Sequence, residues 1–467
     1  MSLFAALLAL GPAVVIDPQK THGTWEGWGT SLCWMGNVFG ERDDVADLLF
    51  TRKTVDFEGH RLPGLGLNIV RYNVGACSTN EVDGRRMQVS KIILPYRQME
   101  GFWLDGKDSN PNSKSWDWSR DPRQVAMMKK AKRRGANRFE LFSNSPMWWM
   151  CKNDNPSGAA NGNHDNLRED MHDTFAVYMA TVAAEAKRRW GIAFTSVEPF
   201  NEPVTDYWFA DCKQEGCHFS IPAQVSVLHK LRRELDLRGL SNTPIAASDE
   251  TSFDQALRTW NGLDTATKAI VDQVNVHGYQ GEKGDRKGLY EATKGKRLWN
   301  SEHGEGDASG LSLMRGVSLD FFALHPIAWS YWQPFDGGGW GLVVADMPNA
   351  KVQRISPKYF VFAHYTRHIR PGMTILETGD RETVAAYDPR RRKLVVLAIA
   401  GESGSDRVVD LSKFDLRGKS VARWITEPRG TTRYQKLPNL PLDGSAMTLV
   451  LPANSVQTFE LDATPRL

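Results

Sequence analysis

Between about residues 20 and 345, short apolar runs alternate with longer stretches in which apolar residues return every three or four positions. The short runs read as strands, at Trp25–Trp34, Asn68–Val74, Arg138–Ser143, Thr195–Asn201, Pro244–Ser248, Gln273–His277, Arg297–Ser301 and Ile327–Trp332. Among the longer stretches, Asp121–Arg134 predicts an amphipathic helix with Pro122 near its start and Gly135 after its end, the positions those residues favour. His172–Trp190 places Phe175, Met179, Val182 and Ala186 on one face and stops before Gly191; Pro222–Leu237 predicts another helix. Strands alternating with helices imply βαβ units and a parallel sheet. Eight such units over about 325 residues predict a closed (β/α)8 TIM barrel of the α/β class rather than an open sheet. No Gly-x-Gly-x-x-Gly follows the first strand, which counts against dinucleotide binding.

The period changes after Pro371. Alternating runs at Thr383–Tyr387, Lys393–Ile399, Ser420–Ile425, Met447–Leu451 and Val456–Leu461 are separated by turn residues such as Asp388-Pro389 and Gly401–Gly404. They predict an all-β sandwich over 371–467, following a barrel domain over 14–370. Within the latter, 14–20 can pair with the sandwich, with Val14–Asp17 as one more strand.

Composition narrows the function classes. The formal net charge is only +3, without a long basic run, so nucleic acid is not an expected partner. No apolar stretch reaches the roughly 18–20 residues of a membrane span. Met1–Ala13 has the apolar middle and small-residue end of a signal peptide, though it is short and lacks a basic start. Cys212 and Cys217 enclose a Lys-Gln-Glu-Gly loop that could close as a disulfide; a metal site there would have only His218 at hand. Leader and cysteines together predict a secreted protein. Neither a metal nor an organic cofactor is implied, since no His-Glu-x-x-His or Cys/His cluster occurs.

In a (β/α)8 barrel, chemistry sits at the C-terminal ends of the strands. Strand four ends in Val197-Glu-Pro-Phe-Asn201-Glu202-Pro203 and strand seven in Leu298-Trp-Asn-Ser301-Glu302-His-Gly304, so each delivers a carboxylate to the mouth. A pair of this kind suits glycoside hydrolysis: one carboxylic acid, Glu202, protonates the leaving oxygen, and one carboxylate, Glu302, attacks the anomeric carbon. Glu198, four residues earlier, reads as a deeper hydrogen-bonding partner, and Asp249 with Glu250 as substrate contacts.

Asn201-Glu202-Pro203 and Ser301-Glu302 resemble the signatures of clan A glycoside hydrolases. Gly27-Trp-Gly-Thr-Ser31, Asn68–Gly75 and the run Phe362–Gly372 resemble glycoside hydrolase family 30, a similarity that covers nearly the whole chain. Thr24–Leu32 and Gln214-Glu-Gly-Cys-His-Phe219 resemble its endo-β-1,6-galactanase branch, whereas Ser143–Met150 departs from the Ser-Pro-Pro-x-Trp run of the glucosylceramidase branch. The resemblance implies a retaining, monomeric hydrolase of β-1,6-galactan, the side-chain polymer of arabinogalactan. Alternatives within the family are a β-1,6-glucanase or an exo-acting β-1,6-galactobiohydrolase; outside it, an inactive carbohydrate-binding protein. It further implies that Asn201 bonds the sugar 2-hydroxyl, Arg71 holds Glu302 ionised, Tyr279 bonds the nucleophile, and His277 ends strand six beside it. Trp332 would floor the cleaved sugar, with Trp148, Trp149 and Trp340 in neighbouring subsites.

Overall fold

The computed structural model describes residues 13–466, so the leader-like stretch lies, Ala13 apart, outside the described residues. The chain divides into two compact units. One comprises Gly27–Gly306 and Ala328–Ser356; the other comprises, among the described residues, 13–26, Asp307–Ile327 and 357–466.

The first unit is a (β/α)8 barrel. Its strands are Gly27–Ser31, Ile69–Asn73, Arg138–Phe142, Ser196–Glu198, Ala246–Glu250, Gln273–His277, Arg297–His303 and Ala328–Tyr331, all parallel. Numbered one to eight in that order, they hydrogen-bond as 4-3-2-1-8-7-6-5, and the bridge Val197↔Ile245 joins four to five. The apolar stripe of His172–Trp190 is buried through Phe175, Met179, Val182 and Ala186, and Gly191 ends the helix at φ 69, where a side chain would be strained.

The barrel interior departs from the usual packing of branched aliphatic residues. Glu140 on strand three is fully buried and accepts hydrogen bonds from Arg71 Nε (2.9 Å), Ser196 Oγ (2.9 Å), Gln273 Nε2 (2.8 Å) and Asn275 Nδ2 (3.1 Å). One carboxylate thereby ties strands two, four and six to strand three. Register shifts against their neighbours leave an extra residue in strand five between Ser248 and Glu250 and in strand seven between Asn300 and His303, bending both strands at their C-terminal ends and re-aiming the side chains that follow.

The second unit is a two-sheet sandwich with helices. Its larger sheet runs Thr21–Thr24, Thr374–Leu376, Thr383–Asp388, Lys393–Ala400, Ser455–Pro465, Phe414–Thr426, Gln435–Pro441; its smaller sheet runs Val14–Val15, Ser405–Asp410, Ala446–Leu451. Both strands preceding the barrel thus join the sandwich, whose core contains Ile16, Val396, Val409, Phe414, Leu449 and Phe459. The helix Pro357–His368 buries His364, whose two ring nitrogens lie 2.8 Å from Thr458 Oγ1 and 3.0 Å from Thr426 Oγ1. Burial holds this imidazole well below its usual pKa, with His368 adding repulsion, and the two hydroxyls satisfy its neutral form.

Removing Glu140 would strand Arg71 and three polar side chains in the barrel. Glu140→Ala should therefore cost about 3–5 kcal/mol, the usual result of breaking one side of a buried pair. Chemical denaturation measures it, and an unchanged midpoint would show that this network does not support the barrel.

Candidate active site

Arg71 is fully buried on strand two, in register with Ser31 and Glu140. Its guanidinium stacks over the Phe142 ring (4.2 Å to the centroid) and spends its donors on three carboxylates. Nε meets Glu140, Nη1 meets Glu302 Oε2 at 2.9 Å and Ser31 Oγ at 3.2 Å, and Nη2 meets Asp249 Oδ2. Glu302 Oε1 accepts from Tyr279 Oη at 2.7 Å.

His277, at the end of strand six and fully buried, lies among three carboxylates. Its Nδ1 is 3.1 Å from Glu202 Oε1 and 3.5 Å from Glu302 Oε1, while Nε2 is 3.1 Å from Asp249 Oδ1. Burial alone would depress its pKa, but Glu302 and Asp249 outweigh this and raise it well above the ordinary value. Burial likewise works against ionisation of Asp249, yet Arg71 and His277 hold its carboxyl down at about 2. Glu302 is pushed above its ordinary value by burial; His277 and Arg71 pull it back, and Glu202 opposes them.

Glu202 follows strand four. Its Oε2 accepts from Tyr207 Oη, and one oxygen of each glutamate together with a His277 nitrogen fall within 4.8 Å of one another. That spacing could bracket a divalent ion, but the buried Arg71 guanidinium, paired with Glu302 and Asp249, already supplies positive charge there. The arrangement suits proton sharing and attack better than metal ligation.

Above the glutamates lies a cleft of about 830 Å³. Glu202, Glu302, Asn201, Tyr279, Trp332 and Trp340 line it, whereas Arg71 and His277 lie beneath and reach it only through the carboxylates. Trp340 is 42% exposed, and Trp332 stands edge-on to Trp34 (5.3 Å), which also faces the cleft. Trp34 and Tyr207 belong to the site although the sequence reading passed over both. Trp34 closes the first apolar run, a signal that was available; Tyr207 sits in a loop without one.

Four expectations are corrected. Trp148 and Trp149 are core residues: neither lines the cleft, and their indole N–H groups donate to Ser78 Oγ (2.6 Å) and the Trp103 carbonyl (3.0 Å). Glu250 is fully buried, accepting from Thr259 Oγ1 at 2.8 Å and the Val204 amide at 3.3 Å. The bend in strand five turns it away, and its neighbour Asp249, also read as a substrate contact, points inward to Arg71 and Ser301 instead (Ser301 Oγ, 2.5 Å). The Cys212–Cys217 bridge is absent. Both are free thiols, Cys212 Sγ donating to the Tyr207 carbonyl (2.8 Å) and Cys217 Sγ to that of His218 (3.4 Å).

Burial pushes the Glu250 carboxyl up to about 8, against the bonds from Thr259 and Val204. A carboxyl raised in the folded state contributes stability that is complete below its unfolded value, about 4.5, and lost as pH rises through about 8. Glu250→Gln should flatten the fall in melting temperature across that window. Parallel wild-type and mutant curves would rule this out.

The model of O-glycosyl hydrolase family 30 matches residues 12–274. An endo-β-1,6-galactanase of Hypocrea rufa is 47% identical over 466 residues, spanning 99% of this chain and 97% of that one. An exo-β-1,6-galactobiohydrolase of Bifidobacterium longum is 23% identical, spanning 88% of this chain and 36% of that one. Among solved structures, a conserved exported protein of Bacteroides fragilis has the same fold (TM-score 0.76, 19% identity, 96% of this chain and 100% of that one). So does the catalytic domain of xylanase C from Talaromyces cellulolyticus (TM-score 0.71, 19% identity, 96% and 100%). With its family match and its close relative both spanning more than half its length, the chain belongs to O-glycosyl hydrolase family 30.

Proposed function

We propose that this chain is a retaining endo-β-1,6-galactanase that cuts internal linkages of β-1,6-galactan, such as the side chains of arabinogalactan, with Glu202 as acid/base and Glu302 as nucleophile. The observation that carries the chemistry is the approach of one oxygen from each glutamate within 4.8 Å. Retaining pairs stand about 5–5.5 Å apart, whereas inverting enzymes leave about 6.5–9.5 Å for a water. Support for the polymer comes from the 47% identical relative.

Glu302, oriented by Arg71 and Tyr279, attacks C1 of the sugar on one side of the cut. The C1–O6 bond breaks as Glu202 gives its proton to the departing O6, leaving a galactosyl ester on Glu302. Water then attacks C1, Glu202 takes its proton, and the ester bond to Glu302 breaks, so two inversions give retention. Asn201 Oδ1, buried beside Glu202 without a partner among the described residues, accepts from the sugar 2-hydroxyl. Trp332 and Trp340 offer ring faces to the apolar C–H faces of galactose. No helix among the described residues is long and apolar enough to cross a membrane. We place the protein outside the cell, where a polymer of this size is met.

Purified protein should release reducing ends as short oligomers from β-1,6-galactan, and far fewer from β-1,6-glucan or xylan assayed in parallel. Hydrolysis confined to glucan or xylan would sink the substrate assignment. Glu302→Gln should fold normally and lose at least about 10⁴-fold in kcat, because covalent catalysis goes with it. Proton NMR should find the β-anomer first among the products; initial α-anomer would exclude double displacement.

A further inference from the structure

Gln214-Glu215-Gly216-Cys217-His218-Phe219 supplies only one wall residue, Gln214, to the cleft, and the mechanism above leaves it unused. Its residues instead fasten the loop that follows strand four. Glu215 is fully buried and accepts from Asn73 Nδ2 (3.0 Å) at the end of strand two and from the Ala76 amide (3.1 Å) and Cys77 Sγ (3.2 Å) just beyond it. The Gly216 amide donates to the Pro156 carbonyl (2.9 Å) and the Phe219 amide to that of Pro203 (2.9 Å). Gly216 must be glycine for a local reason: a Cβ there would stand 2.0 Å from the Trp208 ring. The chain therefore lies flat against Trp208.

Trp208 and Tyr207 carry this clamp to Glu202. Glu202 sits at φ 50, a left-handed conformation that a residue with a side chain keeps only where its surroundings hold it. Trp208 Nε1 donates to the Glu202 carbonyl at 3.0 Å, Thr205 Oγ1 to the same oxygen at 2.8 Å, and the Glu202 amide to the Asp249 carbonyl at 2.8 Å. Tyr207 packs edge-on against Trp208 (4.8 Å) and its hydroxyl donates to Glu202 Oε2, with Thr251 Oγ1 3.4 Å away. His277 holds the other oxygen. The backbone and both carboxylate oxygens are thus fixed from separate elements.

We infer that Tyr207 is a positioning residue for the leaving-group proton, setting the orientation of the Glu202 carboxyl, and that Glu215 and Gly216 act on catalysis through it. The inference rests on Glu202 being the acid/base. Tyr207 is required only when the departing oxygen needs a proton. A sugar leaving group needs one; 2,4-dinitrophenolate departs without it.

The test compares kcat/KM on β-1,6-galactan with kcat/KM on a dinitrophenyl β-1,6-galactotrioside. General acid catalysis is worth about 10²–10⁴-fold, so Tyr207→Phe should lose roughly 10–100-fold on galactan and less than about 3-fold on the aryl glycoside. Equal losses on both substrates would make Tyr207 merely structural, and no loss on either would remove it from the reaction; both overturn the inference. Glu202→Gln serves as the reference. If it fails to discriminate between the substrates, the acid/base assignment has failed; if it discriminates and Tyr207→Phe does not, only the role of Tyr207 has. Tyr207 is 39% exposed and Tyr207→Phe keeps the ring, so the fold should survive, which the melting temperature checks. Should it not, Trp208→Phe removes the indole donor and must show the same selective loss.

Discussion

A guanidinium sealed inside the barrel organises this molecule. Arg71 is out of reach of water, and an isolated cation there would be untenable without compensation. Three carboxylates supply it, each from a different strand: Glu140 from strand three, Asp249 from strand five and Glu302 from strand seven. The carboxylates need Arg71 as much as it needs them, so the four positions are mutually enforced. Stability and chemistry meet in one side chain, since the group that holds the barrel polar core together also orients a glutamate facing the cleft.

His277 extends the same arrangement outward. It touches Asp249 with one nitrogen and both cleft glutamates with the other, linking the deep layer around Arg71 to the surface where charge changes during reaction. A fixed arrangement of charges needs no rearrangement when a bond breaks, which is the form of stabilisation that enzymes use most heavily.

Much of this was legible in the sequence, for reasons of geometry. The eight barrel strands are readable because alternation with helical periods persists for three hundred residues, and barrel topology then puts Glu202 and Glu302 at one mouth. Several features were not readable. Whether Glu250 or Asp249 points inward depends on one extra residue in strand five, which periodicity does not report. Trp148 and Trp149 have the chemistry of a sugar platform and of a core residue alike, and only packing separates the two. Six residues from Cys212 to Cys217 set a loop length but not where two sulfurs point. Tyr207 reaches Glu202 through a loop folded back on itself; Ser405–Asp410 escapes notice as a strand because it is largely polar, and Gln435–Pro441 because it is poorly buried and carries two prolines.

The two strands that precede the barrel have a consequence for how the chain is made. Val14 pairs with Val409, and Thr24 with Thr374, so residues translated just before the barrel find their partners only after it. At a synthesis rate of about 5–20 residues per second, Val14 waits roughly 20–80 s for its neighbour. His364 must also wait, since Thr426 and Thr458 emerge after it. The sandwich therefore closes only after Ser455–Pro465 has been translated, by which point all eight strands of the barrel have been made. Its closure is the step at which a chain lacking Ser455–Pro465 would be distinguished from one that carries it.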